Sequence, residues 1–264
     1  MDIPFARWYE AIGKRRSRRR FVEGRTLEPD ARSSLEAVCR DFRPFPAARA
    51  VLVTEPVDDV FRGVIGSYGK IKGAPAFVAL VGDTAGPSVQ EATGFTGEGI
   101  VLEAAALGLA TCWVAAFRRD RVSSVVDVRP GERILAIVPV GCAPGSATLE
   151  ERLLTGFGLT HRRLSPEKLV TGAAIAAAPD WVGTAVRAAR LAPSATNRQP
   201  WGFRIIENSL TVFVRTGGPD LSISKRLDCG IAMLHVEVAA GHLGVTGAWE
   251  FLTAPDVARF TPEP

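Results

Sequence analysis

The chain has 264 residues, 47% of them hydrophobic and 23% charged, which predicts one large or two small globular domains and excludes wholesale disorder. A formal net charge of +4 is low for a chain whose partner is nucleic acid, so none is expected. No apolar run reaches the roughly 20 residues of a membrane-spanning helix. The first residues lack the apolar centre of a secretory leader, and Cys39, Cys112, Cys142 and Cys229 form no C-x-x-C, nor is a His at ligand spacing. These features predict a cytoplasmic chain with reduced thiols and no metal.

Residues 2–14 read as a first helix, with Asp2 as cap, Pro4 in its first turn and Phe5, Trp8, Tyr9 and Ile12 at helical spacing. The basic run Lys14 to Arg20 follows. Pro29 opens a second helix whose inner face carries Leu35, Val38 and Cys39. Val51 to Val53, Ala76 to Val81 and Ile134 to Val140 are short apolar runs that read as buried strands. Residues 97–107 read as a buried helix, apolar nearly all round, that Gly108 stops. The preceding stretch, Gly94 to Gly99, is read as the approach to that helix rather than as a phosphate loop, because it lacks the full fingerprint. Residues 145–163 read as loop and edge. Alanines 173–178 and Pro179 mark a junction, and Asp180 caps a helix that runs to about Leu191. Phe203 to Ile206 and Leu210 to Val214 predict a hairpin, and residues 229–243 a second apolar helix that ends at Gly244.

The two apolar helices are alike. Leu107-Gly108 and Leu243-Gly244 end them, Trp113 and Trp249 follow, and Gly94 and Gly230 stand at the same offset upstream. Strand, buried helix, glycine stop and tryptophan recur once, which predicts two related halves, 1–170 and 171–264.

Two segments could carry chemistry. The basic run reads as a solvated helix end, as a nucleic-acid patch, or as a phosphate site in which arginines fork onto oxygens and Ser17 adds a hydroxyl. The loop Ala192 to Trp201, with two prolines and uncharged Ser, Thr and Asn, reads either as a helix-ending turn or as a rigid cradle for a planar heterocycle. His161, His235 and His242 are isolated. The latter two, on the second apolar helix, read as core or interface histidines rather than ligands, and Cys112 as a core thiol. No Ser-His-Asp set is legible, so no catalytic side chain is named.

The segments Arg15-Arg16-Ser17-Arg18-Arg19-Arg20-Phe21, Gly73-Ala74-Pro75, Leu107-Gly108-Leu109-Ala110-Thr111-Cys112-Trp113 and Ala192 to Trp201 together resemble the motifs of the FMN-dependent nitroreductase superfamily. The departure from that pattern is informative. The A-P-S loop of ordinary members follows the R-R-S motif closely, but here residues 42–50 have lost it and it stands in the second half, which lacks an R-R-S motif. The chain is thus similar to the nitroreductase-like group with two halves in one polypeptide, a homodimer fused with one flavin site kept and the other decayed.

The resemblance implies an α+β fold, a mixed sheet flanked by helices and duplicated as an intrachain pseudo-dimer. It implies that Arg15, Ser17 and Arg19 hold the FMN phosphate and ribityl chain, with Arg16 between them facing solvent. Pro193, Ser194, Ala195 and Asn197 would pack on the flavin ring from the other half. Trp113, Val114, Ala115 and Ala116 would line its reactive edge, where a backbone N–H could bond the ring N5. Arg162 or Arg163 would complete the phosphate site. The function implied is FMN-dependent reduction of a small organic acceptor by NAD(P)H, in a chain able to exist as a monomer. The alternative from another class is a non-catalytic flavin-binding or storage protein of the same fold.

Overall fold

Helix α1 (Phe5–Lys14) buries Trp8, Ala11 and Ile12 and presents its charged residues outward. A computed structural model of the protein describes residues 1–54, 60, 71–145, 162–216 and 223–263. The helix starts after Pro4, which makes no side-chain cap, so Asp2 is not the cap the sequence suggests. Helix α2 (Pro29–Asp41) opens on its proline and buries Leu35, Val38 and Cys39 as the spacing predicts.

Strands β1 (Ala48–Val53), β2 (Ala76–Asp83), β3 (Ala110–Thr111) and β4 (Glu132–Gly141) form a four-stranded sheet in the order β1-β2-β4-β3. It is antiparallel throughout, in registers such as Val51 opposite Ala79 and Val78 opposite Val138. Strand β2 is buried on both faces, which explains its unbroken apolar run. One face packs on the main core. The other packs on a smaller cluster of Phe21, Phe77, Ile137 and Val122, the last from the short α4 (Arg119–Ser123).

Helix α3 (Val89–Ala106) starts eight residues before the predicted helix, within which Gly94 to Gly99 now lie. The reason is packing. A Cβ on Gly94 would stand 2.1 Å from the Leu227 carbonyl oxygen, one on Gly97 2.4 Å from Leu80, and one on Gly99 2.3 Å from Phe42. These glycines let neighbours approach the helix axis, and the tertiary contacts outweigh their poor helix propensity.

The second sheet has the order β5-β6-β7-β9-β8, built from β5 (Val170–Gly172), β6 (Trp201–Ile206), β7 (Ser209–Val214), β8 (Gly247–Phe251) and β9 (Asp256–Pro262). Only β5 runs parallel to its neighbour, so this sheet alone is mixed. The short α5 (Pro166–Leu169) precedes β5. Helix α6 (Asp180–Ala189) begins on Asp180, with Pro179 rather than Asp180 in the capping position. The β6–β7 hairpin turns at Glu207-Asn208. Helix α7 (Lys225–His242) has Ser224 as its cap, the hydroxyl accepting from Arg226 N–H at 3.2 Å.

Helices α3 and α7 cross at the centre. A Cβ on Gly230 would stand 2.1 Å from the Glu91 carbonyl oxygen, the reciprocal of Gly94 against Leu227. Each contacted carbonyl lies three residues before the other helix's glycine. Both helices stop at a glycine of positive φ, 76° at Gly108 and 78° at Gly244. Set β5 aside, and each sheet reads strand, strand, helix, strand, strand in the chain with the last strand inserted beside the second. Among the described residues, no helix is long and apolar enough to cross a membrane.

Candidate functional site

The end of α1, the segment after β3, the loop before β6 and the first turns of α7 enclose a cavity of about 480 Å³. Twelve of the fourteen site residues expected from the sequence line it: Arg15, Arg16, Ser17, Arg19, Trp113, Val114, Ala115, Arg163, Pro193, Ser194, Ala195 and Asn197. Ala116 and Arg162 do not. The exposed Arg162 instead gives its carbonyl to the loop, accepting from Asn197 Nδ2 and Gln199 Nε2, each at 3.0 Å.

The basic run starts at the end of α1, with Lys14 in its last turn and Arg15 at the C-cap, and continues beyond the helix. Arg15 N–H still closes on Ala11 O at 2.8 Å, and the chain then extends, Ser17 bridging to Thr111 and Arg20 to Lys72. This extension turns Arg15 inward, to 6% exposure, and leaves Arg16 outside, its guanidinium on the carbonyls of Gly13 and Arg15 at the end of α1. Arg15 reaches Ser17 Oγ at 3.3 Å, while its Nε is buried without a hydrogen-bond partner. Burial pulls the Arg15 guanidinium below its usual range, and the nearby Glu98 carboxylate opposes that pull. Arg163 donates to Asn197 Oδ1 and to Leu191 O, the latter at 3.2 Å. Burial first, then the charges of Arg15 and Arg190, lower it to about 10. Two arginines that repel each other thus converge on one cavity, and an anion between them would relieve both.

A carboxylate lies beneath this wall. Glu98, in α3 and fully buried, accepts from Trp113 Nε1 at 2.8 Å and stands 3.9 Å from Arg15 Nε. The oxygen that faces Arg15, Oε1, is also 2.9 Å from His235 Nε2, while Trp113 takes Oε2; His235 Nδ1 is 3.0 Å from Ala188 O. A carbonyl only accepts, so Nδ1 carries a proton. The Nε2–Oε1 contact then joins the ring to the buried carboxyl group of Glu98. The core-histidine reading of His235 is thereby given its partners, and the pair ties α3 to α7 under the cavity floor.

The opposite wall is the loop before β6, where three non-glycine residues have positive φ: 54° at Thr196, 56° at Asn197 and 46° at Gln199. Each costs of order 1–3 kcal/mol and persists only where surrounding bonds impose it. Ser194 Oγ accepts from Gln199 N–H at 3.0 Å, and Gln199 Oε1 accepts from Leu164 N–H at 2.9 Å. These bonds fix the loop as one wall of the cavity. Cys112, Ile231, Leu227 and Asp228 also line the cavity. Sequence reasoning missed Glu98 and Asp228. The available signal was a charged residue inside an otherwise apolar helix, which must find a partner to be buried.

No group of His, Cys, Asp and Glu suited to a metal occurs among the described residues, and His161 lies outside them.

No curated protein matches the chain. Among solved structures, a protein described as a "putative nitroreductase" from Thermotoga maritima MSB8 superposes with a TM-score of 0.66 at 19% identity, over 96% of this chain and 92% of that one. A nitroreductase family protein from Clostridium difficile 630 gives a TM-score of 0.48 at 19% identity, over 63% of this chain and 98% of that one. An FMN-dependent nitroreductase from Clostridium difficile R20291 gives 0.44 at 17% identity, over 52% and 88%. A family model described as "Putative TM nitroreductase" matches residues 7–240, a span that holds most of α1, both sheets' leading strands and every cavity residue named above, and the chain therefore belongs to that nitroreductase family.

Proposed function

We propose that the protein is an FMN-dependent oxidoreductase that passes electrons from NAD(P)H to a small organic acceptor, with one flavin site per chain. The observation that carries this reading is the convergence of Arg15 and Arg163 on one cavity, with Arg15 Nε buried and without a hydrogen-bond partner. That donor set fits the phosphate of FMN. Arg15 and Ser17 would hold it, Arg163 would complete its neutralisation, and Arg19 and Arg16 would line the approach. At 6% exposure Arg15 is too deep for a duplex backbone, which argues for a small phosphorylated ligand over nucleic acid.

The bound flavin would supply the hydride-carrying chemistry; the protein binds, orients and shields it. Trp113, Ala115 and Ile231 offer an apolar face, and Pro193, Ser194, Ala195 and Asn197 a polar uncharged one, as a planar ring with several acceptors requires. Val114 N–H is taken by Ile137 O at 2.9 Å, so a backbone donor to the ring N5 falls to Trp113 or Ala115 instead.

The proposal extends to two related halves, 1–170 and 171–264. The reciprocal glycine crossing and the common strand order support it. So does the spacing that pairs Gly94 with Gly230, Gly108 with Gly244 and Trp113 with Trp249. At that spacing the counterparts of Ile231 and Ala115 are Phe95 and Phe251, and Phe45 stands in the segment before β1 as the loop stands before β6. Phe45 packs on both, with ring centroids 5.1 and 4.9 Å away. Three phenylalanines fill the region that would mirror the cavity, which argues for one site and for a chain that needs no second copy. None of the four cysteines is in a disulfide, as suits a reducing compartment such as the cytoplasm.

Anaerobic stopped-flow mixing with NADH or NADPH tests the reading. Bleaching of bound FMN followed by reoxidation with a nitroaromatic or quinone acceptor is the expected result. Bound FMN that neither nucleotide reduces would instead make the protein a flavin binder. No binding at tens of micromolar FMN, in protein shown to be folded, removes the flavin altogether.

A further inference from the structure

The loop from Ser194 to Gln199 is strained, and one of the groups that hold it, Asp228, belongs to no motif found in the sequence. Asp228, in the first turn of α7, accepts from Ala195 N–H at 3.2 Å through Oδ1 and from Arg198 Nε at 2.8 Å through Oδ2. Both side chains of the ion pair are almost fully buried, at 2% for Arg198 and 3% for Asp228. Arg198 NH2 also donates to Ile223 O at 2.9 Å. The carboxylate therefore grips the loop at two points, one on each side of the positive-φ residues Thr196 and Asn197. Asp228 itself lines the cavity, beside Leu227 and Ile231.

The arrangement is directional. A buried ion pair adds little stability over an apolar pair of the same shape, so what this pair contributes is position. Here the pair spans the joint between α7 and the cavity wall, and its bonds end on the backbone of the strained segment. A free loop would relax Thr196 and Asn197 to ordinary φ values and withdraw Ala195 and Asn197 from the cavity.

We propose that Asp228 is a positioning residue of the site: through Ala195 N–H and Arg198 it holds the loop from Ser194 to Gln199 in the strained form that cradles the ligand's planar ring. The ring's identity as a flavin rests on the function proposed above, but the loop's dependence on Asp228 does not.

The test uses the full chain, Asp228→Asn, and a double variant Asp228→Asn/Arg198→Met that leaves no buried unpaired cation. Amide hydrogen exchange of residues 193–199 should accelerate at least tenfold in both, while α3 and β6 keep their protection. Affinity for riboflavin and for FMN should fall together, about tenfold or more, with their ratio unchanged. A phosphate-site lesion would move FMN alone, and a merely structural role would lower thermal stability without altering affinity in the folded protein. If the single variant fails to fold, the double variant carries the same readouts. Wild-type exchange at 193–199, or ring affinity within twofold of wild type, overturns the proposal. If the wild-type protein binds no flavin, the flavin reading fails and the exchange measurement still decides the role of Asp228.

Discussion

Arg15 and Glu237 show how burial sets what a charged side chain does. A hydrogen bond to a charged group contributes roughly 1.5–3 kcal/mol, so Arg15→Ala should weaken FMN about 10- to 100-fold. Riboflavin, which has no phosphate, should bind wild type and variant alike. Fluorescence titration of both ligands checks this, and an equal loss for both would remove Arg15 from the phosphate. Glu237, in α7, donates nothing to the cavity. It accepts from Trp249 Nε1 at 2.7 Å, and burial raises its carboxyl to about 7 while that bond opposes the rise. Its folded value lies above the unfolded one, so stability is lost progressively as the pH rises from about 4.5 to about 7, and the full cost of the charge remains above that. Glu237→Gln should therefore stabilise the protein relative to wild type at pH 8 and lose most of that advantage at pH 5. Thermal melts of both proteins at the two pH values read the difference, and an advantage that grows toward acid would contradict the sign. The apolar helix that carries Glu237 was legible from composition. Trp249 was legible as the tryptophan after the Gly244 stop, but its strand β8 was not, because it alternates exposed and half-buried residues without a strong apolar run.

At the scale of elements, the crossing of α3 and α7 depends on two glycines used for access rather than for turning. Gly94→Ala places a methyl 2.1 Å from a backbone carbonyl that cannot swing away. The helices must separate, at a cost of about 3 kcal/mol or more. Gly108→Ala has open space around it but a φ of 76°, so only the left-handed conformation is penalised, at about 1–2 kcal/mol. Urea unfolding of the two variants should separate them clearly; equal small losses would mean that the helices do not cross where Gly94 meets Leu227. The same glycines explain why the sequence shortened α3. Three of them in six residues read as a helix approach from propensity, whereas packing against Leu227, Leu80, Trp113 and Phe42 makes each a place of contact.

For the whole molecule, the arithmetic of sites follows from complementary loss. A symmetric homodimer presents each motif twice. This chain presents Arg15 and Ser17 once and the loop from Pro193 to Asn197 once, and the two meet on one cavity. On the proposed division into two halves, the region that would mirror it holds Phe45, Phe95 and Phe251 instead. FMN titration should saturate near one equivalent per 28.2 kDa chain, and sedimentation should show a substantial monomer population. Two equivalent flavins per chain would refute the reading that one site has been closed. An obligate dimer with one flavin per chain would leave the closed site standing but give the cavity a wall from a second copy.

The sequence by itself determined the class of fold, the positions of α1, α2, α6, α7 and the hairpin β6–β7, and the family of the cavity residues. Those features rest on local rules: apolar spacing along a helix, proline at its start, β-rich runs around a two-residue turn, and a rigid loop with its own motif. Only the tertiary structure decided which residues meet. It brought Arg163 rather than Arg162 to the cavity, committed Val114 N–H to β4, and gave Glu98 its buried partners Trp113 and His235. It also lengthened α3 through its glycines and tied Asp228 to a loop some thirty residues upstream. The physical reason is common to all of these. A buried charge, a strained φ or a missing Cβ is tolerable only because of a group far away in the chain, and that group's identity is set by packing, which no local pattern encodes.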